Sequence, residues 1–445
     1  MVKAIMIKDN YQTSISIMAQ LLQHGASILI LPIIIFNFSP EAIGLWYLLV
    51  SFQSAIFLMD MGFTPSFSRA IAQAFSGIPS LKATGWHDAN TNMPNHNLIY
   101  QIIRRMKLAY FLLSISSLFI LFFGGFFYLS SVALTEFTIQ EVKIICIISA
   151  LSISVQFSGQ WMNAALVGAG LTYLSQVSIV ISSIIFLLFG LLLIYFEKGV
   201  LGLTIANLLG ILIGFILKFY FYINLFPKIK IQPNKSINQP VLSKIWYNSW
   251  RIGVVSLCTF LVLRFGVLLL GLLEGVEKAG TLGLLIQIST AIIAASSMPW
   301  HVGLKKLVSI KLSKNIKLLR KFATTNWLLS FTIFALAFLS IIVFEAIGFL
   351  KNTQFENLIF SKLFLLYFVI VMLELNHTIA TFFIAAGNDI PFLPAALLSA
   401  LFTIILSVIL VINGWGIFGV LFAQGLIQLL WNNWYWPWRV LKELS

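Results

Sequence analysis

The sequence predicts an all-α protein that crosses a membrane about twelve times, and three observations carry that prediction. Of its 445 residues, 60% are hydrophobic and only 9% are charged, and the mean hydropathy is +0.98. A water-soluble domain needs more polar surface than this. Apolar runs of about 20 residues recur from end to end, each long enough to cross a ~30 Å hydrocarbon core as a helix. Lys and Arg also concentrate in alternate connections between those runs, as cytoplasmic loops do.

Taken in order, the elements are as follows. Lys3 and Lys8 precede the first apolar run, 14–37. That run is longer than a signal-peptide core and no A-x-A site follows it, so it reads as span 1. Span 2, 41–65, opens on "EAIGLWYLLVSFQSAIF" and closes on "LMDMGF". The polar stretch "GIPSLKATGWHDANTNMPNHN" leads to span 3 at 108–130, and spans 4, 5 and 6 follow at 142–166, 173–196 and 200–224. A second polar stretch, "PKIKIQPNKSINQP", divides the chain near its middle. Spans 7 to 12 then lie at 248–272, 279–303, 324–348, 362–386, 392–412 and 416–438.

The charges set an orientation. Arg69, Lys82, Arg104, Arg105 and Lys107 lie between spans 2 and 3, and Lys218, Lys228, Lys230, Lys235, Lys244 and Arg251 lie in or beside the central connection. Lys305, Lys306, Lys311, Lys314, Lys317, Arg320 and Lys321 follow span 8, and Arg439 and Lys442 end the chain. The other side holds few Lys and most of the Glu. Both termini are therefore expected in the cytoplasm. The net charge of +14 is explained by these loops, so nucleic acid is not an expected partner. Cys146 and Cys258 fall in apolar runs and read as buried thiols with no disulfide framework. Trp431, Trp434, Trp436 and Trp438 in "WNNWYWPWR" fit an aromatic belt at the cytoplasmic interface.

An internal repeat organises the spans. Span 2 opens "EAIGLWYLL" and span 8 "EKAGTLGLL", both of the form E-x-x-G-x-x-x-L-L. The ends of spans 4 and 10, "NAALVGAG" and "ATFFIAAG", correspond as well. Span n thus matches span n+6, which gives parallel repeats of six spans. The expected domains are a lobe over 1–225, a cytoplasmic linker over 226–247 and a second lobe over 248–445, two six-helix lobes around a central cavity.

Polar residues within spans mark candidate sites. Gln20 and His24 share a face of span 1, and Gln156, Gln160 and Asn163 share one of span 4. Gly253, Ser256, Phe260 and Arg264 line up on span 7, and Tyr367, Glu374, His377, Thr378 and Thr381 on span 10. These stripes line the cavity or glue helices together. Arg264 and Glu374 need water, a partner or a ligand, because either ion unpaired in lipid costs several kcal/mol. They lie roughly 24 Å and 18 Å from the cytoplasmic ends of their spans. Two readings follow: a buried ion pair joining spans 7 and 10, or an Arg264 that faces the cavity and binds an anionic headgroup. In the second reading Glu374 is the resting partner of Arg264 or a proton-coupling carboxylate. His24 is either a proton carrier or a packing residue. Pro65 is expected to break span 2 just after Asp60. Asp60 is expected to pair at a cytoplasmic gate with Arg69 or with Lys305. No metal-ligand spacing is present around His87 and His96.

The run "ILPIIIFNFSPEAIGLWYLLVSFQSAIFLMDMGFTPSFSRAIAQAFSG" resembles the opening of bacterial O-antigen and polysaccharide repeat-unit flippases of the multidrug/oligosaccharidyl-lipid/polysaccharide (MOP) superfamily. The features alike are "LP" in span 1, S-P-E-x-x-G-L-W, D-x-G-F and R-A-I-A-x-A-x-x-G. The resemblance implies a V-shaped, MATE-like pair of lobes and alternating access in the bacterial inner membrane. It implies a substrate of undecaprenyl-diphosphate-linked oligosaccharide moved from the cytoplasmic to the periplasmic leaflet, the tail staying among membrane lipids. Such flippases carry cationic residues in the cavity, and Arg264 is the one clearly placed for that here. A monomer is expected, with the polysaccharide polymerase machinery as a further partner, no cofactor, and coupling to a proton or sodium gradient left open. Trp161, Tyr173 and Tyr367 offer stacking faces for sugars. A multidrug or cation exporter of the same superfamily shares the fold but favours a more acidic cavity. A membrane glycosyltransferase or polymerase needs convergent catalytic groups, and none is visible; the chain is not expected to be an enzyme.

Overall fold

The computed structural model describes residues 29–81, 93–226, 240–386 and 391–444, apart from single positions at 133, 314, 352, 354, 357, 359 and 360. Residues 29–37 are helical. The helices that follow are α1 (Pro40–Phe57), α2 (Phe63–Phe75), α3 (His96–Phe119), α4 (Phe126–Ser131), α5 (Ile139–Gly168), α6 (Thr172–Tyr195), α7 (Gly199–Leu225) and α8 (Val241–Leu263). They continue as α9 (Phe265–Leu273), α10 (Val276–Val302), α11 (Leu304–Leu312), α12 (Ile316–Ala346), α13 (Lys362–Ala385), α14 (Leu393–Ile412), α15 (Gly416–Ile427) and α16 (Asn433–Leu444). No strand occurs among the described residues. In hydrocarbon every backbone N–H and C=O must find its partner within the segment, which selects helices for these runs.

Nine helices among the described residues are long and apolar enough to cross a membrane, ten if the bent pair of α8 and α9 is one span. The chain is a multi-pass membrane protein. Twelve spans were expected, and the shortfall has two local sources. Most of span 1 lies outside the described residues. The last helix carries Gln424, Gln428, Asn432 and Asn433, which dilute its hydropathy, and it runs from α15 to α16 through a π-turn at Gln428–Asn432. Such π-turns widen a helix by one residue and often mark functional positions. The long helices start where polar side chains can hold their first amides. Asn95, Asn315 and Ser361 accept from Leu98, Leu318 and Phe364, and Thr138 forms a reciprocal capping box with Glu141.

The chain forms two compact units, and their boundaries fall inside α1 and α8. The first comprises the described part of Phe52–Leu257. Its core packs Phe67 and Ile71 of α2 against Ile99, Ile102, Met106 and Tyr110 of α3 and against Phe157, Ala164 and Ala165 of α5. Ile245 of α8 joins the same core. Gly62 precedes α2 with φ +69, and a Cβ there would lie 2.9 Å from the Ser249 carbonyl of α8. Both the left-handed backbone and the close approach require glycine. The turn falls over Leu58–Gly62 rather than after Pro65. Pro65 sits instead in the first turn of α2, where its missing N–H leaves no helical bond unmade.

The second unit comprises the described part of Ser27–Ser51 and Cys258–Ser445. Within it α1 crosses α10 at the repeated E-x-x-G segments. A Cβ on Gly280 would stand 2.8 Å from the Gly44 amide nitrogen, and one on Gly283 would overlap the Tyr47 side chain. The glycines of the repeat are therefore the point of closest helix approach, a small-residue crossing typical of membrane helices. Elsewhere Trp300 of α10 packs edge-on against Phe322, Trp327 and Phe383, and its Nε1 donates to Ser330 Oγ at 3.1 Å. Arg320 donates to the Leu444 carbonyl at 2.8 Å, which ties α12 to the end of α16.

Candidate functional site

Each unit contains a polar cavity built on three consecutive helices. In the first unit these are α5, α6 and α7. A cavity of about 310 Å³ is lined by Gln156, Gln160 and Asn163 of α5, by Ser178, Ser182 and Ser183 of α6, and by Gly214 and Lys218 of α7. Spacings of three and four residues put Gln156, Gln160 and Asn163 on one face of α5, Ser178 and Ser182 on one face of α6, and Gly214 and Lys218 on one face of α7. Part of the lining is already engaged. Asn163 Nδ2 donates to Gln160 Oε1 at 3.1 Å, and Asn163 Oδ1 accepts from Ser175 Oγ. Ser182 Oγ donates to the Gly210 carbonyl at 2.6 Å and Ser178 Oγ to that of Leu174 at 2.9 Å.

In the second unit the helices are α13, α14 and α15, with the end of α8. A smaller cavity, about 60 Å³, is lined by Glu374 and His377, by Ser399 and Thr403, and by Gln424, Gln428 and Asn432. Gln428 Nε2 donates to Glu374 Oε2 at 2.5 Å, and Asn432 Nδ2 donates to Ser399 Oγ at 2.9 Å. His377 Nδ1, Thr403 Oγ1 and Gln428 Oε1 are buried with no hydrogen-bond partner among the described residues. A liquid-water share is about 30 Å³, so this space takes one or two waters or a small ion, and three unsatisfied polar atoms surround it.

Arg264 stands at the break between α8 and α9, where the two helices bend by 42°. Its amide still donates to the Phe260 carbonyl at 2.7 Å, and its own carbonyl accepts from Val267 at 3.1 Å. Its electrostatic neighbour is Tyr47 of α1, and the Tyr47 hydroxyl is buried without a hydrogen-bond partner among the described residues. The expected Arg264–Glu374 ion pair is not formed. The Glu374 carboxylate instead accepts from Gln428, in the π-turn after α15. No carboxylate among the described residues lies within ion-pair distance of Arg264.

The expected pairing of Asp60 with Arg69 is not formed. Asp60 is buried and accepts from Thr64 N at 3.2 Å, from Thr64 Oγ1 at 2.8 Å and from Tyr110 Oη at 2.8 Å. Arg69 is exposed and donates to Ser66 Oγ at 3.4 Å. The turn at Met61 and Gly62 folds Asp60 back over the start of α2, where it acts as a local cap. The Lys305 side chain lies outside the described residues, as do Gln20 and His24.

The remaining expected residues divide by position. Gln156 and Asn163 line the first cavity, and His377 and Glu374 line the second. Tyr367 lines neither: its hydroxyl donates to the Leu285 carbonyl within the packing of α10 and α13. Trp161 has its face covered by Lys107 Nζ, 4.4 Å from the ring centroid, and meets Tyr222 edge-on.

No family model matches the sequence, and no curated protein matches it. Solved structures do match, over nearly the whole length. A multidrug-resistance MATE family transporter of the MOP superfamily in an inward-facing conformation superposes with TM-score 0.71 at 13% identity, over 97% of this chain and 98% of the other. The fold is that of the MATE-like transporters. The lipid II flippase MurJ in an inward closed conformation matches with TM-score 0.67 at 16% identity, over 98% of this chain and 89% of its own. The MATE multidrug transporter DinF-BH follows with TM-score 0.64 at 15% identity, over 97% and 95%.

Within this MATE-like fold, sequence reasoning missed several lining residues. Lys218 was grouped with the loop cations, although it lies seven residues inside the end of α7, roughly 10 Å along the helix axis. Gln424, Gln428 and Asn432 repeat at every fourth residue, a one-face pattern that marks a polar stripe on an otherwise apolar helix. Ser399 and Thr403 show the same spacing on α14.

Proposed function

We propose that this chain is a flippase that moves an undecaprenyl-diphosphate-linked oligosaccharide from the cytoplasmic to the periplasmic leaflet of a bacterial inner membrane by alternating access. The observation that carries the reading is Arg264, a guanidinium at a helix break with no carboxylate in reach among the described residues. A planar fork of donors suits a diphosphate, and an ion left unpaired within a membrane helix marks a substrate or ion path. The MATE-like fold shared with a lipid II flippase supports this reading. The amide and hydroxyl linings suit sugar hydroxyls. The Glu374 cavity, small and ringed by unsatisfied polar atoms, is assigned to coupling through a proton or a sodium ion.

The test is flipping of a fluorescent undecaprenyl-diphosphate-linked glycan in proteoliposomes, with complementation of a flippase-null strain scored for surface polysaccharide. Arg264→Ala is expected to lower the rate by about tenfold or more, the worth of a charge-assisted contact, while Arg264→Lys retains part of it. Full activity of Arg264→Ala at normal expression overturns the reading. A cation or multidrug exporter is the second reading, favoured by the Glu374 carboxylate and the likeness to multidrug MATE structures. Raised drug susceptibility in a deletion strain with normal surface polysaccharide selects it.

A further inference from the structure

The larger cavity, on α5, α6 and α7, has a chemistry that headgroup binding at Arg264 does not use. Four of its lining groups hold unspent hydrogen-bonding capacity among the described residues: the Lys218 ammonium, the Gln156 amide, the Gln160 Nε2 and the Ser183 hydroxyl. No carboxylate lines the cavity, and none lies within ion-pair distance of Lys218 among the described residues. The free set is rich in donors and carries a single positive charge. Its complement is a ligand group with one negative charge and several hydroxyls. The volume of about 310 Å³ sits at the small end of ligand pockets, room for one ring and its substituents. A lysine that merely snorkels to the interface needs no amides around its path.

We propose that this cavity binds one carboxylated sugar residue, with Lys218 paired to the carboxylate and Gln156, Gln160 and Ser183 bonded to ring hydroxyls. The sugar chemistry rests on the flippase reading; the charge and size rest on the cavity alone. The substrate class is thereby narrowed to glycans that contain a uronic acid or a similar acidic sugar.

The experiment uses the purified full-length protein in detergent, with binding followed by the thermal unfolding midpoint and by intrinsic tryptophan fluorescence. The probes are glucuronate, glucose, acetate and inorganic phosphate. Glucuronate is expected to raise the midpoint saturably, and the other three to need at least tenfold higher concentration. Lys218→Gln is expected to weaken glucuronate by about tenfold or more, and Lys218→Arg to retain most of the affinity. Should Lys218→Gln fail to fold, Gln156→Leu is expected to weaken glucuronate, and the wild-type preference for glucuronate over glucose and acetate still decides the matter. Equal stabilisation by acetate or phosphate, or unchanged glucuronate affinity in Lys218→Gln, overturns the assignment. Proteoliposome flipping separates this from the proposed function. Glucuronate binding through Lys218 in a protein that flips no diphosphate-linked glycan sinks the flippase reading and leaves the cavity assignment standing. Flipping without glucuronate binding does the reverse.

Discussion

Asp60 and Glu374 are both carboxylates within membrane-spanning segments, yet their surroundings treat them in opposite ways. Asp60 is closed off by its own segment and a neighbour: two groups of Thr64 and the hydroxyl of Tyr110 donate to it. Among the described residues Glu374 has one donor, Gln428, and borders a cavity in which His377 Nδ1, Thr403 Oγ1 and Gln428 Oε1 are unsatisfied. A carboxylate that accepts several hydrogen bonds has its charge satisfied by the fold and stabilises it. One that borders a polar void keeps capacity for a proton, a cation or water. The comparison teaches that the count of donors around a buried charge, rather than its presence in a span, separates a structural acid from a working one.

The sharpest way to break this comparison is Glu374→Gln. The amide keeps the shape and the contact with Gln428 but removes the charge. Flipping in proteoliposomes is expected to lose its dependence on an imposed proton or sodium gradient and to slow by about tenfold or more, with the unfolding midpoint near that of the wild type. Retained gradient dependence would mean that Glu374 is as structural as Asp60. Asp60→Asn is expected to act on the other axis. It sets an amide donor against the Thr64 amide and removes a charge-assisted set, for a loss of about 3 kcal/mol. The readout is a lowered unfolding midpoint at unchanged flipping per folded molecule. Tyr110→Phe takes away one donor and is expected to destabilise by about 1.5 kcal/mol. A Tyr110→Phe midpoint below that of Asp60→Asn would shift the emphasis from the carboxylate to the Thr64–Tyr110 contact, 2.7 Å between hydroxyls. The smallest effect is expected for Thr403→Val beside Glu374. It deletes a buried hydroxyl without a partner among the described residues, so stability should stay level or rise by up to about 1 kcal/mol. A clear fall in the midpoint would show that the hydroxyl serves a bound water or ion.

The helices were legible in the sequence to within a few residues for spans 4, 5, 6, 8, 10 and 11, whereas the helices of spans 3, 7 and 9 start earlier than expected, at His96, Val241 and Ile316. Span 5, expected at 173–196, forms Thr172–Tyr195, and span 10, expected at 362–386, forms Lys362–Ala385. Those limits follow from hydropathy and turn residues, which act locally. The E-x-x-G repeat was legible as a pattern, but its physical content was not: Gly44 and Gly280 face each other across a helix crossing, a relation between segments far apart in the chain. Face assignment was only partly legible. Gln156 and Asn163 fell on a shared face and line a cavity together, whereas Tyr367, on the stripe with Glu374, spends its hydroxyl on the Leu285 carbonyl. A stripe predicts which residues share a side of a helix and leaves open what that side meets.

By itself the sequence determined that the chain is helical and crosses the membrane many times. Apolar runs near 20 residues leave the backbone no other way to satisfy its hydrogen bonds in lipid, and that constraint needs no knowledge of neighbours. Only the tertiary structure decided where the charges went. It turned Asp60 toward Thr64 and Tyr110, gave Glu374 to Gln428, set Arg264 at a helix break away from any described carboxylate, and set Lys218 beside a ring of amides and hydroxyls. The reason is range. Hydropathy is a property of a window of residues, while the partner of a buried charge is fixed by which helix faces meet, and a break of one residue is enough to change the answer.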